Sequence, residues 1–175
     1  MIETERLQLV PCELIHFEAI LENQKKLESL LEVTLADDWL DFPAAQEAMR
    51  PSYEFLKANP SALGWWTYLF VFKPAQKLIG LGGFKGPPTQ DGVVEIGYAL
   101  STAYRGQGLA TEASRGMLAY AFANPVVVEV RAHTLPEQNS STRVLGRVGM
   151  KSLGAVIDPD DGEVWRWNIT RAEYQ

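Results

Sequence analysis

The sequence predicts a single α+β domain with a mixed, mostly antiparallel sheet flanked by helices. Three observations lead there. Apolar residues make up 46% of the 175 residues and charged residues 22%, enough to build one sizeable core. Strand-like runs follow one another closely in the middle of the chain, as hairpins require, and two later helical segments separate strands as crossovers do. Residues 104–111, reading YRGQGLAT, join a strand-like run to a helix-like run through a loop with two glycines.

The elements follow in order along residues 1–175, with no repeat or linker to divide them. Residues 6–10 read as a short first strand. Residues 13–31 carry Phe17, Ile20, Leu21, Leu27 and Leu31 at helical spacing and predict one helix. Residues 36–43 hold Asp37, Asp38, Trp39, Asp41 and Phe42 and read as a loop. Pro43 suits a helix start, and residues 44–57 predict a helix that Pro51 should kink or split. Residues 65–72 are almost wholly apolar, as in a strand covered on both faces. Residues 78–84 form the next strand, where Gly80, Gly82 and Gly83 suggest a bulge or a close backbone approach. Residues 93–100 are the strand before the glycine loop, and residues 109–122 the helix after it. Residues 126–134 form a β-branched strand and residues 140–148 a helix, capped by Asn139 or Ser140 and ended by Gly149. Residues 150–157 and 164–170 close the fold as two strands around an acidic turn with Asp158, Asp160 and Asp161.

Charge and composition exclude several functions. Sixteen Lys and Arg against 22 Asp and Glu give a net charge of −6, which argues against nucleic acid as a partner. An anionic ligand must therefore be held by local donors. The single cysteine, Cys12, excludes an intramolecular disulfide. The opening MIETERLQLV lacks the pattern of a signal peptide, and no apolar run approaches the roughly 20 residues that span a membrane. A cytoplasmic protein is the default expectation. No metal-ligand spacing is present; the aspartates at 158, 160 and 161 lack that of a calcium loop.

A strand, a glycine loop and a helix make a phosphate site, because helix N-terminal N–H groups converge where the dipole is positive. A Walker A sequence is absent. The dinucleotide fingerprint needs a third glycine where Thr111 stands, and needs the glycines at the strand end. The pattern Arg/Gln-x-x-Gly-x-Gly/Ala is met by Arg105, Gly108 and Ala110. This resembles the pyrophosphate loop of the GNAT acyltransferases. Residues 134–150, TLPEQNSSTRVLGRVGM, resemble a second block of that family, with Pro136, Glu137, Ser141, Arg143, Val144, Leu145 and Gly149 in place. The opening ETERLQL and the strand VEIGYAL resemble the branch that acetylates ribosomal-protein N-termini (RimJ/RimL-like). The resemblance spans nearly the whole chain except residues 37–59. Gln138 stands where the family often has Asn, and Gly146-Arg147 replace a Glu-Lys pair.

The resemblance implies a GNAT fold, acetyl-CoA as acyl donor, no metal, and direct transfer to a primary amine on a peptide N-terminus or a small molecule. It leaves room for a homodimer and gives no reason for a membrane partner. It puts Gly106, Gln107, Gly108, Leu109, Ala110 and Thr111 around the pyrophosphate, with Arg105 adding a charge-assisted contact. Tyr98, Ala99 and Leu100 would pair with the pantetheine arm, and Asn139 would bond it or cap its helix. Glu95 and Glu129 are the candidate general bases; burial would raise their pKa toward a useful range, and a pairing of Glu129 with Arg131 is the structural alternative. Other branches carry a Tyr that protonates the leaving thiolate where Leu145 stands here, so Ser141 is the candidate donor. His133 is a lesser candidate for moving protons. Trp39, Trp65, Trp66 and Phe42 could shape the acceptor pocket, and Asp37, Asp38 and Asp41 could attract a cationic amine. A CoA-binding or regulatory module without catalysis is the rival reading.

Overall fold

Nine strands and five helices are formed by residues 1–159 and 161–174, the part of the chain that this computed structural model describes. In order they are β1 (Ile2–Glu3), β2 (Leu7–Pro11), α1 (Leu14–Glu22), α2 (Gln24–Leu31), β3 (Thr34–Leu35), α3 (Pro43–Ala58), β4 (Thr67–Phe72), β5 (Lys77–Phe84), β6 (Val93–Leu100), α4 (Leu109–Ala123), β7 (Glu129–Thr134), α5 (Ser140–Arg147), β8 (Lys151–Asp158) and β9 (Gly162–Thr170). The sheet order is β1-β2-β4-β5-β6-β7-β9-β8, with the short β3 lying parallel to one end of β5. Along the main path every pair is antiparallel except β6–β7. That parallel pair is the product of the α4 crossover. The second crossover, through α5, carries the chain past β9 to the outer strand β8.

Helices cover both faces, which explains the unbroken apolar run of β4. Tyr68, Leu69, Phe70 and Val71 are all buried, alternating between two cores. On one face Leu7, Leu9, Phe70 and Ile96 pack with Met117 and Leu118 of α4 and Leu145 of α5. On the other, Leu69, Val71 and Leu78 pack with Phe17, Leu27, Met49 and Leu56 of the first three helices. Each such fully buried side chain contributes about 1.5–3 kcal/mol relative to exposure. No helix among the described residues is long and apolar enough to cross a membrane.

Two helix expectations change. The single helix over 13–31 is two, broken at Asn23, which ends α1 and caps α2 by accepting from the Lys25 N–H at 3.0 Å. The split expected at Pro51 does not occur; α3 runs unbroken through it. Met49, Ser52 and Leu56 bury one stripe on both sides of Pro51, while the proline ring is exposed, so packing outweighs the missing hydrogen bond. The glycines of β5 serve a close approach: a Cβ on Gly80 would stand 2.2 Å from the Ala99 carbonyl oxygen. The ladder between β4 and β5 also shifts register at Phe70/Val71. The closing turn lies between β8 and β9; Asp160, part of that expectation, lies outside the described residues.

Candidate active site

The site begins where two parallel strands part. β6 and β7 pair only over Val93–Glu129, Val94–Val130 and Glu95–Arg131. Beyond Glu95, β6 continues against β5 and β7 against β9. One edge of β6 therefore faces a gap from Ile96 onward. The Lys85 N–H donates to the Glu95 carbonyl at 2.9 Å and the Ser101 N–H to the Ile79 carbonyl at 2.8 Å, so odd-numbered residues turn their backbone groups to β5. Tyr98 and Leu100 turn theirs to the gap. This corrects the expectation for Ala99, whose backbone groups belong to the ladder with β5 although the residue lines the cavity.

A cavity of about 390 Å³ opens on this edge. Tyr98, Ala99, Leu100, Arg105, Gly106, Gly108, Leu109, Ala110, Thr111 and Ser141, all expected at the site, line it. Gly106 and Gly108 have φ of 73° and 79°, a region that side chains rarely adopt, and they turn the loop into α4. The Glu112 N–H closes the first turn on the Gly108 carbonyl at 3.0 Å, so the N–H groups of Leu109, Ala110 and Thr111 have no partner within the helix. Arg105 donates through Nε to the Leu100 carbonyl at 2.9 Å and lies 5.5 Å over the Phe42 ring.

Two expected residues stand back from the cavity. Gln107 donates its side-chain amide to the Ala103 carbonyl at 2.8 Å. Asn139 caps α5, accepting from the Thr142 N–H at 3.0 Å, which is the capping alternative. Conversely, Tyr104, Ser140, Val144 and two arginines, Arg143 and Arg147, join the lining unforeseen. The arginines sit four apart on α5, a spacing legible in the sequence as one helix face.

Several hydroxyls here lack partners. Tyr98 Oη, Thr111 Oγ1 and Ser114 Oγ are buried without a hydrogen bond. Burial pushes the Tyr98 phenol up to about 12, against the pull of the nearby Ser141 and Ser114 hydroxyls. Tyr98 is thus a protonated donor beside Ser141, whose own side chain is half-buried.

The opposite face of the splay is charged. The Glu95 Oε1 accepts from Lys85 Nζ at 2.5 Å and from His133 Nδ1 at 2.9 Å. Arg166 donates through Nε to His133 Nε2 at 3.1 Å; arginine is only a donor, so Nε2 bears no proton and the ring's hydrogen lies on Nδ1. A second cavity, about 550 Å³, is lined by Lys85, Glu95, Glu129, Arg131, His133 and Arg166 among others. Glu129 lies at the closed end of the splay, paired with Arg131 at 2.7 Å and accepting from Asn168 at 3.2 Å. Both carboxyls correct the expected upward pKa shift. Burial pushes Glu95 up, but the hydrogen bonds from Lys85 and His133 and the charge of Lys85 outweigh it and hold it below the usual range. Glu129 is held low chiefly by its hydrogen bond from Arg131, against a smaller effect of burial.

The tryptophans are mostly core. Trp39 is 1% exposed and packs among the first three helices, so it cannot line an open pocket. Trp65 packs edge-on against Phe84, with ring centroids 4.9 Å apart, and Trp66 stacks on Phe55 at 4.1 Å. Phe42 alone of the aromatic residues proposed for the acceptor side lines the first cavity. Asp38 is not free to attract an amine: it accepts from Ser101 Oγ and from the Thr102 N–H. Cys12 is buried, which pushes its thiol well up and leaves it inert.

Comparison with known proteins adds three findings. The family model described as acetyltransferase (GNAT) domain matches residues 6–151. An uncharacterised N-acetyltransferase of Bacillus subtilis (strain 168), YjdG, is 24% identical over 169 residues, covering 95% of this chain and 96% of its own. Among solved structures, a chimaeric spermidine N-acetyltransferase from Vibrio cholerae and hSSAT has a TM-score of 0.70 at 15% identity, covering 97% of this chain and 98% of the other. RimL, a ribosomal alpha-N-protein acetyltransferase in complex with coenzyme A, has a TM-score of 0.66 at 14% identity, covering 95% of each chain.

Proposed function

Because the chain belongs to the GNAT acetyltransferase family, we propose that it transfers an acetyl group directly from acetyl-CoA to a primary amine. The observation that carries this reading is the unpaired edge of β6, opening beside the glycine loop and the start of α4. The residues present fit such a donor. Three N–H groups at the start of α4 have no partner within the helix, and the loop glycines leave the backbone bare. The Thr111 hydroxyl, buried without a hydrogen bond, is a further donor close by.

When bound, acetyl-CoA supplies a thioester whose acyl carbon is open to attack by an amine. Gly108, Leu109, Ala110 and Thr111 would receive the pyrophosphate with backbone N–H groups, and Arg105, Arg143 and Arg147 add positive charge around the cavity. The N–H groups of Tyr98 and Leu100 would align the arm along β6, and one of them would polarise the carbonyl. Glu95 is the better placed base, at the mouth of the splay; Glu129 is committed at its closed end. Held low, the Glu95 carboxylate is ionised at neutral pH, and takes a proton as C–N bond formation makes the amine nitrogen acidic. Ser141 would donate to the departing sulfur, with the protonated Tyr98 phenol at its back.

We infer a protein N-terminus, in the manner of the ribosomal-protein branch, as the first acceptor to test. The support is the opening TERLQL and the block over residues 134–150. The experiment mixes protein and acetyl-CoA with peptides of varied N-termini, polyamines and aminoglycosides, and follows free thiol and acetylated product. Thiol release matched by product with one amine class is expected. Donor binding with no product from any amine would overturn transfer and leave a CoA-binding module.

A further inference from the structure

We propose that Arg6 and Glu112 form a positioning clamp that aims the Gly108 N–H into the donor cavity, an inference that rests on the phosphate role proposed for that loop. Gly106 and Gly108 flank Gln107, both at positive φ, so the peptide plane between Gln107 and Gly108 has little steric restraint of its own. Arg6 restrains it: its Nη1 donates to the Gln107 carbonyl at 3.0 Å. In a trans peptide the carbonyl and the next N–H point in opposite directions, and the chain has no cis peptide among its described residues. Arg6 lies in a surface depression with Thr4, Glu112 and Arg115, whereas Gly108 borders both that depression and the donor cavity. Holding the carbonyl on the Arg6 side therefore turns the Gly108 N–H toward the donor side.

Arg6 is itself held. Its Nε donates to Glu112 Oε2 at 2.7 Å, and its backbone N–H to Glu112 Oε1 at 2.6 Å. The Thr4 hydroxyl donates to the same Oε1 at 2.6 Å. Glu112 lies in the first turn of α4, so one carboxylate locks the chain before β2, the loop and the helix start in a single geometry. The guanidinium fork serves two acceptors at once, Glu112 and the Gln107 carbonyl. A lysine keeps the charge but lacks that planar fork.

The test compares wild type, R6K and R6A with two acyl donors, acetyl-CoA and acetyl-pantetheine, which lacks the pyrophosphate. Both variants are expected to lose about tenfold in kcat/KM for acetyl-CoA, the effect of about 1.4 kcal/mol, and to keep their rate with acetyl-pantetheine. Equal losses with both donors would show a merely structural role and overturn the clamp, as would no loss with either. If R6A does not fold, R6K carries the same comparison. A wild type that does not distinguish the two donors would instead sink the phosphate role of the loop.

Discussion

Glu95 shows how a residue's neighbours redirect its chemistry. A half-buried carboxylate on a strand invites an upward pKa shift, yet Lys85 and His133 hold this one down. It is thus ionised throughout the neutral range. The pH profile of kcat/KM is expected to rise with deprotonation of the acceptor ammonium, with no step from Glu95 between about pH 5 and 7. Glu95→Gln should lower kcat about 10²–10⁴-fold and leave acetyl-CoA affinity intact. Steady-state kinetics across pH with calorimetric donor binding would check both; a step near pH 6–7 that vanishes in E95Q would contradict the low pKa. The candidate itself was legible from strand alternation. Its two partners were not, because Lys85, just past the end of β5, and His133 of β7 reach it across the sheet. The opposite holds for Glu129, whose Arg131 partner two residues away could be read directly.

Among the elements, α3 is the clearest contest between local preference and packing. An interior proline costs about 3 kcal/mol relative to alanine, but the stripe Met49–Ser52–Leu56 buries on both sides of it. Pro51→Ala is expected to stabilise the protein by about 1–3 kcal/mol, measured by chemical denaturation, with the donor site unaffected; a loss of stability would show that the fixed φ of the proline is needed there. Further along the chain, the N-terminus of α4 was legible because its signal is local: two glycines, then a helical period. The break at Asn23 is also local, but Asn23 sits between segments whose apolar positions continue one stripe, and the period concealed it.

For the molecule as a whole, acid sensitivity follows from carboxyls held below their ordinary range. Ser101, Thr102 and other hydrogen-bond donors lower Asp38 to about 2, and Lys151 and Thr170 lower Glu173 to about 2. Glu112 is pushed up by burial but lowered overall by Thr4 and Arg6, while Glu95 and Glu129 are lowered as described. Each group binds its proton more weakly folded than unfolded, so its contribution is full above the unfolded pKa of about 4 and is lost as pH falls through the folded value. Denaturation midpoints are expected to drop most steeply between about pH 4 and 2; a midpoint unchanged at pH 3 would contradict this. Such ties also join distant parts: Asp38 fixes residues 36–42 to the end of β6, and Glu112 fixes the N-terminal residues to α4. By itself the sequence determined most of the elements, the glycine loop and the family, because turn chemistry, periodicity and contiguous motifs act within a few residues. The tertiary structure decided where β6 and β7 part, which strand residues face the gap, that Trp39 is core, and which carboxylate stands at the mouth of the splay. Those depend on strand order and on side chains meeting across more than 30 residues of chain, which no local pattern encodes.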